Sequence, residues 1–126
     1  MEIGVDSQVR FLERLTEYLE TVTDGLQLVI QFYHQGENDP ADRLREELIQ
    51  GFGRFGDENV TMFAIFRSDE KAFEEWQKLL EEVNQPFASL TFRAKQERIA
   101  TVTLPAFQRF LFTSQRLLQE KKRIQK

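Results

Sequence analysis

The chain has 126 residues, 40% hydrophobic and 30% charged, with a formal net charge of −4 and no cysteine. That length suits a single domain, residues 1–126, with one core, and the charge-to-apolar balance excludes a disordered chain. No apolar run exceeds residues 62–66, which excludes a membrane-spanning helix, and the missing cysteines exclude disulfides, thiolate metal sites and cysteine nucleophiles. The opening residues Met1 to Asp6 lack the basic-then-apolar pattern of a secretion signal, so a cytoplasmic location is expected.

From Leu12 the apolar residues Leu15, Leu19, Val22, Leu26, Val29 and Tyr33 follow in alternating steps of three and four. This seam predicts a first helix over about 7–35, capped by Asp6 or Ser7 and ended by Gly36. Gly25 inside it costs helix stability, on the order of 1 kcal/mol, and is expected to admit a neighbouring helix at close range. Asp39-Pro40 reads as the start of a second helix carrying Leu44, Leu48, Phe52 and Phe55. Gly51, Gly53 and Gly56 interrupt that helix, and Asp57-Glu58 offers a fresh cap before residues 60–66.

Ser68-Asp69-Glu70 opens a third helix. Its seam Phe73, Trp76, Leu80, Val83, Phe87, Leu90 and Ala94 runs across Pro86, which predicts a kinked helix or two helices in one line. Thr103-Leu104-Pro105 then starts a final helix through Phe107, Phe110, Leu111, Leu117 and Leu118. The resulting expectation is an all-α fold, an up-down antiparallel four-helix bundle with an interrupted second helix and a kinked third. The alternative is an α+β fold, because residues 60–66 and 90–104 also carry β-prone, partly alternating patterns.

Gly51-Phe52-Gly53-Arg54-Phe55-Gly56 matches the letters of a dinucleotide-binding loop, but a helix precedes it where that chemistry needs a strand. The adjacent acid pairs, such as Glu46-Glu47 and Glu81-Glu82, diverge by about 100° on a helix and do not converge as a general acid and base. One histidine, His34, cannot build the paired Glu-x-x-His sites of di-iron bundles, and its place in a last turn suits dipole capping. Catalytic, metal and cofactor residues are therefore expected to be none. Glu46, Arg54, Asp57 and His34 are the least implausible polar group for the alternative of a small enzyme or ligand-binding bundle.

Charge is divided along the chain: residues 1–90 are net −11 and residues 91–126 net +7. The basic third is expected to pair mainly with the acidic helices, and the acidic body argues against nucleic acid as a partner. Apolar groups surround more than one face near Met62, Phe63 and Phe66 and near Phe107, Phe110 and Phe112. These segments either fill the bundle centre or present a surface to a protein partner or a second copy. In architecture alone the chain resembles small acidic bundles of bacteria and, more loosely, flagellar export chaperones. The leading expectation is a non-enzymatic protein-interaction module, an adaptor, regulator or export-chaperone-like protein, with those six residues as its partner face. A homodimeric structural protein is the next reading; neither involves a membrane.

Overall fold

The computed structural model describes residues 3–56 and 58–125. They form α1 (Val5–His34), α2 (Asn38–Gly51), a 3₁₀ turn (Phe52–Phe55), α3 (Val60–Phe66), α4 (Glu70–Val83), α5 (Phe92–Arg98), a π turn (Ile99–Thr103) and α6 (Leu104–Ile124). The fold is all-α. No strand occurs among the described residues, and the β-prone residues 60–66 and 92–104 are helical. In α3 the helical spacing of Met62, Ile65 and Phe66 lets all three enter the core, and that burial outweighs local β propensity.

Every residue of the α1 seam from Leu12 to Tyr33 is buried. The helix begins slightly before the expected start, with Gly4 at the cap position and Asp6 in the first turn, where a carboxylate favours the positive end of the dipole. It ends as expected. Gly36 adopts φ +80°, its N–H donates to the Tyr33 carbonyl (3.1 Å), and the Glu37 N–H donates to that of Phe32 (2.8 Å). This is a Schellman closure, for which glycine is the residue with least strain.

Glu37 rather than Asp39 occupies the α2 cap position. Pro40 lies in the first turn, where its missing N–H removes no intrahelical bond. α2 returns along α1, and a Cβ on Gly25 would stand 2.5 Å from Leu48 Cδ1, so the glycine does admit a close crossing. Gly51 plays the same part against a stiffer neighbour. A Cβ there would lie 2.7 Å from Tyr18 Cε1, and that ring packs 5.4 Å from Phe55 while its hydroxyl donates to the Leu48 carbonyl. We expect Gly51→Ala to destabilise by about 1–3 kcal/mol in urea unfolding, because overpacking exceeds the gain in helix propensity of roughly 1 kcal/mol.

The glycine-rich stretch breaks the helix, as anticipated, by tightening into the 3₁₀ turn that buries Phe52 and Phe55. Asp57, half of the expected next cap, lies outside the described residues. The cap of α3 is Asn59, whose side-chain oxygen accepts from the Met62 N–H at 3.0 Å.

Two boundaries differ from the sequence reading. α4 stops at Val83, and residues 84–91 form turns rather than a kinked continuation. Pro86 disfavours helical geometry at Gln85 and cannot donate to a preceding carbonyl, so the seam is lost as a helix although Phe87 still packs against the core. Thr103-Leu104-Pro105 does mark the start of α6, but not of a separate helix: α5, the π turn and α6 are one unbroken rod. An α-helical register would press the Pro105 ring against the Thr101 carbonyl. The wider π turn just before it, closed by Leu104 N–H to the Ile99 carbonyl, accommodates the proline without ending the helix.

Contacts set the directions. Thr16 meets Ser114 at 2.7 Å and Asp6 meets Gln125, so α6 runs antiparallel to α1, while Asp69–Arg116 and Glu82–Thr103 make α4 antiparallel to the same rod. The up-down order of four long rods is present. Among the described residues the helices number five, because the seven-residue α3 is inserted before α4. Between the rods runs an aromatic chain. Phe52 lies edge-on to Phe107 (5.6 Å), Phe110 meets Phe66 (5.3 Å), and Phe66 meets Trp76 (6.2 Å), which gives four of the twelve phenylalanines a place in one aromatic chain.

Candidate protein-docking face

The six residues expected at a partner face separate into two groups. Met62, Phe66, Phe107 and Phe110 are fully buried; they form the aromatic core and, as folded, offer a partner no surface. Phe63 and Phe112 are exposed, at 36% and 71%. They lie on different sides of α4: Phe63 packs on Phe73 and Trp76, whereas Phe112 borders a cleft with Lys71 and Glu75. Sequence pattern could not divide the six, since a helix with apolar groups on most sides is compatible with either centre or surface.

The Phe112 cleft is the more developed feature, about 620 Å³ between α4 and α6, lined by Lys71, Glu75, Pro105, Gln108, Arg109, Phe112, Thr113 and Arg116. Three cations and one carboxylate therefore surround an exposed aromatic ring. Glu75 accepts a hydrogen bond from the buried Thr113 hydroxyl, and Arg116 bridges to Asp69 (3.0 Å) and Glu120 (3.0 Å). Lys71 and Arg109 make no ion pair among the described residues. The basic third thus pairs internally in part: Lys95, Arg98, Arg116 and Lys122 reach acids of α1, α2 and α4.

One edge of the cleft is set by the start of α4. Asp69 caps it by accepting from the Ala72 N–H at 3.0 Å. That backbone bond first, and the Arg116 guanidinium second, hold its carboxyl below the usual range. A depressed carboxyl contributes stability above its unfolded pKa and loses it as pH falls through the folded value. Asp69→Ala is accordingly expected to cost about 1 kcal/mol near neutral pH, with the difference from wild type shrinking below about pH 4 in paired urea titrations.

The polar group considered for catalysis is dispersed. Arg54 lines a cleft with Phe11 and Tyr18, Glu46 lines others beside Arg45, His34 is exposed at the end of α1, and Asp57 lies outside the described residues. Among the described residues no three His, Cys, Asp or Glu side chains are grouped to hold a metal, and no helix is long and apolar enough to cross a membrane.

Fold and site together define a small all-α domain with a basic, aromatic cleft. Residues 10–111 match the family model described as Domain of unknown function (DUF8042), and the chain belongs to that family. No curated protein and no solved structure matches it.

Proposed function

We propose that this protein is a non-enzymatic helical interaction module that receives an acidic, amphipathic helix of a partner protein in the α4–α6 cleft. The observation carrying this reading is Phe112. It is a large aromatic side chain, 71% exposed in mid-helix, and it costs the isolated domain an unfavourable hydration that burial under a partner would remove. Lys71 and Arg109 flank the ring, so an apolar anchor on the partner would be framed by acids, the usual arrangement of helix-in-groove recognition. The same cations would repel the basic α6 face of a second copy, which favours a different chain over a homodimer.

A test uses a fluorescein-labelled helical peptide with Leu at i, i+3, i+4 and i+7 and Glu on both flanks. Anisotropy should show saturable binding that weakens with salt. Phe112→Ser and the Lys71→Glu/Arg109→Glu pair should each weaken it by about tenfold or more, the scale of an interface hot spot. Equal binding by these variants, or none at low salt, would refute the reading. A concentration-dependent dimer in light scattering that Phe112→Ser abolishes would replace it with self-association.

A further inference from the structure

Outside the Phe112 cleft, α1, α2, the end of α4, the 84–91 segment, α5 and the π turn bring together a second polar cluster. Lys95 is only 6% exposed, and its Nζ donates to both carboxylate oxygens of Asp42, at 3.2 and 3.3 Å. The Tyr33 hydroxyl donates to the same carboxylate. Glu82, the next acid, accepts two bonds from Arg98 and one from the Thr103 hydroxyl. Asp42 and Glu82 are thereby satisfied by their own neighbours.

Arg45 is not. Its guanidinium carbon lies 3.7 Å from the centroid of the Phe87 ring, so the aromatic face covers one side of the group. Its Nε is buried with no hydrogen-bond partner, the single such side-chain atom among the described residues, and none of its other N–H groups donates to a described residue. Protein closes off the Nε itself, so a molecule in the cleft would meet the terminal Nη groups, which donate to no described side chain and are held in place by the Phe87 ring. Burial also pulls the Arg45 pKa down, against the field of the surrounding acids. The side chain borders a cleft of about 300 Å³ shared with Asp42, Glu46, Phe87, Ala88 and Lys95, at the small end of sites for small molecules.

We propose that this cleft binds a small organic monocarboxylate, its carboxylate taken by the free guanidinium edge of Arg45 and its apolar part resting against Phe87 and Ala88. The planar guanidinium presents paired donors that match a carboxylate. Asp42, Glu46 and Glu82 together offset the positive charges of Arg45, Lys95 and Arg98, so the cluster has no net charge to draw in a multiply charged anion, and the apolar wall of Phe87 and Ala88 favours an organic carboxylate over phosphate. Lys95, held by Asp42, forms a wall of the cleft rather than a second anion ligand.

The probe is benzoate, titrated into ¹⁵N-labelled protein at constant ionic strength, with inorganic phosphate as the comparison. Saturable shifts at the Phe87 and Ala88 amides are expected, with benzoate binding tighter than phosphate. Arg45→Met keeps an apolar stem against Phe87 and should weaken benzoate by about tenfold or more, as loss of a charge-assisted hydrogen-bonded pair implies. Wild-type shifts confined to α6, no saturation, or phosphate binding tighter than benzoate would each overturn the assignment, and none of these readouts depends on the variant folding. A folded Arg45→Met protein that binds benzoate as wild type does would overturn it as well.

Discussion

Trp76→Ala should lower the unfolding free energy by about 3–5 kcal/mol, the largest effect expected of any single truncation in this core. The indole is fully buried. It meets Phe63 edge-on at 5.0 Å and Phe73 at 5.5 Å, and packs against Phe66 at 6.2 Å. Its Nε1 also donates to the buried Phe55 carbonyl at 2.7 Å, tying α4 to the 3₁₀ turn after α2. Trp76→Phe separates the two contributions. It retains most of the apolar volume, leaves the Phe55 carbonyl without its donor, and is expected to cost about 1–3 kcal/mol. Urea unfolding followed by circular dichroism is the appropriate measurement, because Trp76 is the only tryptophan and its fluorescence disappears with it. A cost below about 0.5 kcal/mol for Trp76→Phe would mean that water reaches the carbonyl and that the bond is not a structural tie.

The second large effect is expected at Asp42. Removing its carboxylate leaves the Lys95 ammonium buried without a counterion and the Tyr33 hydroxyl without an acceptor. Loss of one member of a buried ion pair costs about 3–5 kcal/mol. Because Asp42 itself is about one-third exposed, water can enter where the carboxylate was, which places Asp42→Ala near the lower end, about 3 kcal/mol. Lys95→Met in the same background should recover much of the loss, since the methionine thioether can pack against Phe87 and Phe92 where the ammonium now sits 5.4 and 5.0 Å from the ring centroids. A double-mutant cycle should give a coupling of roughly 1–3 kcal/mol. A coupling near zero would show that Lys95 reaches solvent by an alternative rotamer.

Both sites depend on how separate segments of chain meet, and this limits how far a linear reading could find them. The alternation of three and four along α1 predicted which residues of that helix are buried, because a single periodic stripe has only one way to face a core. Gly36 and Asp69 were legible for a related reason: capping chemistry is local, and a positive φ or an N-cap carboxylate is settled within four residues. Gly25 pointed to a close crossing, though only the fold supplied Leu48 as the neighbour.

Proline misled at Pro86, and at Pro105 it marked the start of α6 without revealing that the preceding helix runs into it. Pro86 and Pro105 are equivalent as letters, each lacking a donor and each crowding a carbonyl. Around Pro86 the chain gains nothing by staying helical and turns. Before Pro105 the flanking residues Ile99, Thr103, Leu104 and Phe107 are all buried, and their packing holds the rod together at the expense of one π turn.

The candidate docking face shows the same division. Met62, Phe63, Phe66, Phe107, Phe110 and Phe112 share composition and local environment in sequence, and helical phase around a stripe that is apolar on several sides cannot rank them. Packing ranked them, by placing Phe52 and Phe66 against one flank of α6 and leaving Phe112 exposed. Arg45 gave no signal in sequence, where it is one of many charges on a polar helix. Its solitary buried donor exists only because Phe87, some forty residues later, folds over it. Periodicity, capping and composition therefore determined the all-α class and the core of α1, since these follow from interactions within a few turns of one helix. Helix continuity at the prolines, the surface left to Phe112 and the environment of Arg45 were decided by tertiary packing, since each depends on what a distant segment covers.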